Sequence, residues 1–262
     1  MIASGIFEKY VVPSVVILVF LFLYLPIIFL IISSFNSGAL NYEWGSFTTS
    51  WYRELFTSVE VWNAVKNSLI VAITSVFLSV SMGSMLVFFL PRYWLDRFSG
   101  LFYANLAVPE VVLSVGLLSF FYFFSVPLGL VTLITGHTLL GLGYVVPVVY
   151  NRFVDLDSSI MEASFDLGAT PLQTFWKVVL PLMMPALIVS GLLVFTISFD
   201  DFIFAFFCSG SSSQTLPIYI YSMIRSGATP EITALSALLL GMSSLLVLAF
   251  LSLQIRKMGG VR

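Results

Sequence analysis

Six stretches of this chain are long and apolar enough to cross a lipid bilayer, and nothing else in it constrains the fold as strongly. The hydrocarbon core is about 30 Å thick, so a spanning helix needs roughly 20 apolar residues. Residues 11–35, 67–90, 100–124, 130–151, 186–208 and 232–255 all meet that length. Inside hydrocarbon a backbone must satisfy its own N–H and C=O groups, which makes such stretches helices. Composition agrees, since 59% of the 262 residues are hydrophobic and 9% are charged, against about a quarter charged in a soluble domain. The expectation is an all-α integral membrane protein, one transmembrane domain over residues 1–262. The first stretch is too long for a secretory signal and lacks a small-x-small cleavage site. It reads as an uncleaved span, bent at Pro26, where the ring removes one backbone hydrogen bond.

Basic residues set the orientation. With the N-terminus inside, Lys9, Arg92, Arg97, Arg152, Lys177, Arg256, Lys257 and Arg262 fall on the cytoplasmic side. Arg53, Lys66 and Arg225 fall outside. That bias follows the positive-inside rule, and an even number of spans returns the C-terminus to the cytoplasm. The external segment 36–66 carries Trp44, Trp51, Tyr52 and Trp62, whose amphipathic rings suit a membrane interface or contact with an external partner. Segment 209–231 is also external, and 153–185 is cytoplasmic.

Several function classes drop out. A net charge of −2 leaves no basic footprint for nucleic acid. One cysteine, Cys208, excludes an intrachain disulfide and a cysteine metal cage, and it reads as a small apolar residue of a span. The single His137 leaves little for metal or triad chemistry, so neither catalytic residues nor a metal site are expected. None of Lys9, Lys66, Lys177 or Lys257 follows a glycine, so the phosphate-binding Gly-x-x-x-x-Gly-Lys-Ser/Thr loop is missing. If ATP drives this protein, another chain binds it.

The cytoplasmic segment codes for two short helices and a sharp bend. Ser159 and Glu162 have the spacing of a capping box. Gly168 stands where that helix should stop, because glycine accepts the left-handed conformation at a helix end. Thr170 and Gln173 repeat the box, with Pro171 at the first helical position, where its missing N–H costs nothing. Pro181 and Pro185 should then break the second helix. Ile160, Ala163 and Leu167 share one face of the first. A mere connection needs no such structure, and the loop looks built to dock.

Glu162-Ala163-Ser164, three residues, Gly168, nine residues, then Val178-x-Leu180-Pro181 resembles the EAA loop of binding-protein-dependent ABC importer permeases. Ser164 stands where that pattern has a second alanine, and Val178 where it has isoleucine. The resemblance implies the MetI-like ABC type I importer permease fold, with six transmembrane helices and both termini cytoplasmic. It also implies that Glu162, Ala163, Ser164, Gly168, Leu180 and Pro181 form a coupling helix seated in a cytoplasmic ATPase subunit. ATP and Mg²⁺ would be held by that ATPase, with no cofactor in this chain.

Acidic residues at the centre of a span cost about 2.5–3.5 kcal/mol each on insertion scales and usually have a function. Glu110 lies deep in the third span, and Asp200 and Asp201 in the fifth, with no Lys or Arg at matching depth. They could pair with a basic or amide group on a partner subunit, or stay protonated against a backbone carbonyl. Alternatively they line a path. Neighbours on a helix point about 100° apart, so one aspartate rather than both should face it. Carboxylates with aromatic rings favour a cation, and Tyr24 beside Pro26 is a candidate ring or simply packs in lipid.

A second resemblance sharpens this. Tyr24-Leu25-Pro26-Ile27-Ile28, Ser34-Phe35-Asn36-Ser37, Phe47-Thr48-Thr49-x-Trp51-Tyr52, Pro109-Glu110-Val111-Val112, Ser198-Phe199-Asp200-Asp201 and 216–223 resemble the PotC-type permease of spermidine/putrescine importers. That group commonly has Asp where Glu110 stands. The resemblance implies a multi-pass protein of the bacterial cytoplasmic (inner) membrane that carries polyamines. Glu110 and Asp200, then Asp201 and Tyr24, would be its substrate-path residues. It further implies a PotB-like second permease, two PotA-like ATPase subunits and a PotD-like external binding protein, which would land near Trp51 and Tyr219. The same scaffold could carry an anion or a metal chelate. A gradient-driven secondary carrier is the rival of another class, and a membrane-embedded enzyme ranks behind both. Finally, Ser75, Ser79 and Gly83 recur every four residues, a small-residue stripe for close helix packing within the chain or across a dimer.

Overall fold

A computed structural model describes residues 12–38, 43–227 and 230–259. In chain order its helices are α1 Val12–Ser33, α2 Ser50–Thr57, α3 Val59–Phe89, α4 Arg92–Ala107, α5 Glu110–Phe123 and α6 Leu130–Val154. There follow α7 Ser158–Asp166, α8 Pro171–Thr174, a π turn Phe175–Val179, α9 Leu180–Asp200, α10 Ile203–Cys208, α11 Leu216–Ser226 and α12 Pro230–Gly259. Among the described residues, α1, α3, α6 and the run Pro171–Asp200 are long and apolar enough to cross a membrane. Glu110–Phe123 and Pro230–Leu245 are shorter apolar helices.

Two expected spans are divided. The helix expected over 100–124 stops at Ala107 and restarts at Glu110. Pro109 causes this, because it disfavours helical geometry at the residue before it and donates no hydrogen bond. The helix expected over 186–208 stops at Asp200 and restarts at Ile203. The reverse correction applies to Pro181 and Pro185, which do not break their helix. Pro171–Asp200 is continuous, and the π turn absorbs the defect, with the Leu180 N–H reaching five residues back to the Phe175 carbonyl.

The chain divides into two compact units, residues 60–219 and residues 1–59 with 220–262. In the first, α9 and α4 pack on α6, and α10 packs on α5 and α6. The small-residue stripe makes a contact inside this unit. Ser75, Ser79 and Gly83 are buried on α3. A Cβ at Gly83 would meet Val145 at 2.7 Å, and one at Gly141 would meet the Ser79 hydroxyl at 2.5 Å. Close backbone approach of this kind substitutes, in lipid, for the hydrophobic force that water would supply. Val87, Val145, Val149, Val179, Met183 and Val194 fill the space beside it.

In the second unit α12 packs against α1 and α2. The segment after α1 is organised by Asn36, which is 1% exposed. Its Nδ2 donates to the Glu43 carbonyl at 2.7 Å, and its Oδ1 accepts from the Gly38 and Gly45 amides at 3.0 and 2.9 Å. Trp51 Nε1 donates to the Asn36 carbonyl at 2.8 Å, and the Tyr52 hydroxyl lies 2.6 Å from Ser34 Oγ. Phe35 stacks on Phe47 at 5.3 Å. Trp51 and Tyr52 therefore brace this turn.

Candidate functional site

The loop between α6 and the π turn has the two-helix shape expected, with one cap moved. The N-cap of α7 is Asp157, whose Oδ1 accepts from the Ser159 amide at 3.0 Å. Ser159 and Glu162 therefore do not form the expected capping box. A carboxylate two residues earlier serves better, adding its charge to the positive end of the helix. Hydrogen bonds from the Ser159 backbone, and then its side chain, hold the Asp157 carboxyl below its ordinary pKa.

The rest of the bend follows its local code. Gly168 has φ +82°. Its N–H reaches the Phe165 carbonyl at 2.8 Å, and that of Ala169 reaches Ser164 at 3.1 Å, which together close a Schellman motif. Thr170 and Gln173 exchange both bonds of their capping box, at 2.9 and 3.3 Å. Ser164 Oγ lies 2.9 Å from Thr174 Oγ1 and pins the two short helices together. None of α7 is buried. Glu162 and Ala163 are exposed, as are Ile160, Phe165 and Leu167, the last at 89%. Leu180 and Pro181 sit above, one half-buried and the other exposed. The bend thus leaves apolar side chains uncovered.

All three deep acids stand at helix breaks in the unit 60–219. Glu110 is the first residue of α5 and half-buried. Asp200 ends α9 and is exposed, whereas Asp201 lies in the gap and is 8% exposed. Asp201 Oδ2 accepts from the Ala205 amide at 3.0 Å, capping α10. The same oxygen lies 3.6 Å from His137 Nε2, and His137 Nδ1 lies 2.9 Å from Ser198 Oγ. Nδ1 is thus hydrogen-bonded to Ser198, while Nε2 is buried without a hydrogen-bond partner among the described residues and stands against the Asp201 carboxylate.

Asp201 does have a titratable neighbour, the imidazole of His137. Sequence reasoning passed over His137 because a search for Lys and Arg does not find a neutral imidazole. Its place in the middle of the fourth span was the available signal. Glu110 is within electrostatic range of Asp201 and of Tyr144, a second residue that reasoning missed. Tyr24 belongs to the other unit, exposed on α1 with its ring 6.1 Å from that of Phe20.

Residues 75–258 match the model of the binding-protein-dependent transport system inner membrane components. The chain belongs to this family. The resemblance read from the 162–181 loop is thereby met across most of the molecule. The spermidine/putrescine transport system permease protein PotC of Escherichia coli K12 is 36% identical over 237 residues, 88% of this chain and 89% of that one. The putrescine transport system permease protein PotI of the same organism is 37% identical, over 87% of this chain and 84% of its own. PotC of Haemophilus influenzae is 34% identical, over 87% and 90%. A bacterial ABC transporter involved in import of the acidic polysaccharide alginate superimposes with a TM-score of 0.72 over 96% of this chain and 97% of its own, at 18% identity. That likeness shows the fold, the all-helical MetI-like permease fold of inner membrane transport components.

Proposed function

We propose that this chain is the transmembrane subunit of an ATP-driven importer that carries spermidine- or putrescine-like polyamines into the bacterial cytoplasm. It spans the membrane six times with both termini cytoplasmic. It works with a PotB-like permease, two PotA-like ATPase subunits that hold ATP and Mg²⁺, and a PotD-like external binding protein. The observation that carries the solute reading is the exposure of Asp200 at the end of the apolar run Pro171–Asp200. A carboxylate there cannot face lipid at a cost of about 2.5–3.5 kcal/mol, so it faces a polar path. With Glu110 at a second break, that path offers negative charge to an ammonium group, whose attraction grows in a low dielectric. The alginate importer takes an acidic polysaccharide, so the fold leaves solute charge open, and the carboxylates support a cation.

The 157–174 bend is the lever. Closure of the ATPase pair moves Glu162, Ala163, Ser164 and Gly168, and the motion passes through Leu180 and Pro181 into α9. The spans then alternate between outward and inward openings, and solute biases that equilibrium by its different affinities for the two states.

The test is the reconstituted complex with its binding protein. Spermidine or putrescine should stimulate ATP hydrolysis, and Glu110→Gln or Asp200→Asn should lower uptake on the order of tenfold, about 1.4 kcal/mol, with assembly intact. Stimulation by an anion and indifference to polyamines would reverse the solute assignment.

A further inference from the structure

The geometry points to His137 as the positioning residue that sets the break between α9 and α10, and through it the outward aim of Asp200. The inference rests on reading Asp200 as a solute-path carboxylate. A helix within the apolar layer does not stop unless something replaces the backbone hydrogen bonds it gives up. The gap at 201–202 frees the first amides of α10, and the Asp201 carboxylate accepts from that of Ala205 at 3.0 Å. The imidazole stands against that carboxylate, Nε2 at 3.6 Å from Oδ2. Ser198, in the last turn of α9, and Asp201, in the gap, meet opposite nitrogens of the same ring. His137 on α6 thus ties both sides of the break to a third helix.

The ring is itself fixed. It is 1% exposed, and its centroid lies 6.1 Å from that of Phe204 in α10. Glycines clear the approach on either side. A Cβ at Gly136 would meet the Phe204 ring at 3.0 Å, and one at Gly141 would meet Val194 of α9 at 2.9 Å. A histidine that only filled this space would be served as well by leucine. Its Nε2, however, is a buried polar atom with no hydrogen-bond partner among the described residues, and the Asp201 carboxylate stands 3.6 Å from it. Ser, His and Asp in sequence also form hydrolytic sites, but the space beside Ser198, lined by Tyr144, Gly141 and Val194, has no room even for water. The arrangement is a latch.

The experiment uses the assembled importer with Cys208, the one cysteine of this chain, replaced by alanine and Asp200 replaced by cysteine. The probe is a membrane-impermeant cationic thiol reagent, and the reading is the labelling rate at position 200 with and without a His137 change. His137→Ala should slow labelling about tenfold. His137→Gln, which can offer an N–H toward Asp201, should stay within about threefold of the parent. With Asp200 restored, His137→Ala should raise the half-saturating spermidine concentration about tenfold, and His137→Gln should rescue it. Equal labelling in parent and His137→Ala, or a glutamine variant as impaired as the alanine one, overturns the latch alone. No labelling of the parent overturns the path reading and the latch with it. Should His137→Ala fail to assemble, Ser198→Ala removes the other half of the latch and is read by the same criteria.

Discussion

At the break between α9 and α10 a step of one residue takes a carboxylate from the surface into a hydrogen-bonded cap. Asp200 is exposed, while Asp201 accepts from the Ala205 amide and faces His137. The two should therefore fail differently. Asp201→Ala leaves the buried Ala205 amide without its acceptor, and an unmet buried group costs about 1–3 kcal/mol. We expect that variant to lose thermal stability and complex yield, measured by size-exclusion after heating. Asp200→Ala should assemble normally and lose uptake. The opposite pattern would make Asp201 the path residue and Asp200 the structural one. The sequence exposed both acids as candidates, because charge is rare in an apolar stretch. It could not rank them, since the 100° rule assumes a continuous helix and the helix ends between them. The partner that decides the matter lies 64 positions away, on α6, beyond any local pattern.

Elements built from local rules were the legible ones. Gly168 and the Thr170–Gln173 box depend on neighbours within five residues, and each stands as its code implies. The α7 cap was misplaced because Asp157 and Ser159 both qualify, and only the backbone path selects between them. The break at Pro109 was signalled by the proline but hidden by the largely apolar stretch around it. The bend at Gly168 also gives a graded prediction. At φ +82° a Cβ costs roughly 1–2 kcal/mol, so Gly168→Ala should weaken the bend and reduce ATP-dependent uptake severalfold. Gly168→Pro cannot reach that φ and also deletes the N–H bonded to Phe165. It should abolish coupled uptake while the protein still inserts in the membrane. Full uptake by the proline variant, assayed in vesicles with all partners present, would mean that the bend transmits nothing.

For the molecule as a whole, the question is where the energy for transport enters. The sequence has no nucleotide-binding loop, yet it keeps a doubly capped bend whose apolar side chains are left uncovered. A carrier driven by an ion gradient would need only its intramembrane acids, and a bend of this kind would serve no purpose in it. A transporter driven from outside its own chain needs a stiff handle, continuous with a helix that reaches the solute path. On the proposed reading the bend is that handle, and it continues through the π turn into α9, which ends at Asp200. The acids alone fit either machine, so the bend is what separates them. The chain reconstituted alone in liposomes should take up no polyamine under an imposed proton or sodium gradient. Adding the second permease, the ATPase pair and ATP on one side, with the binding protein on the other, should start uptake. It should stop when ATP is replaced by a non-hydrolysable analogue. Gradient-driven uptake by the isolated chain would make the deep carboxylates a proton relay and leave the bend without a role.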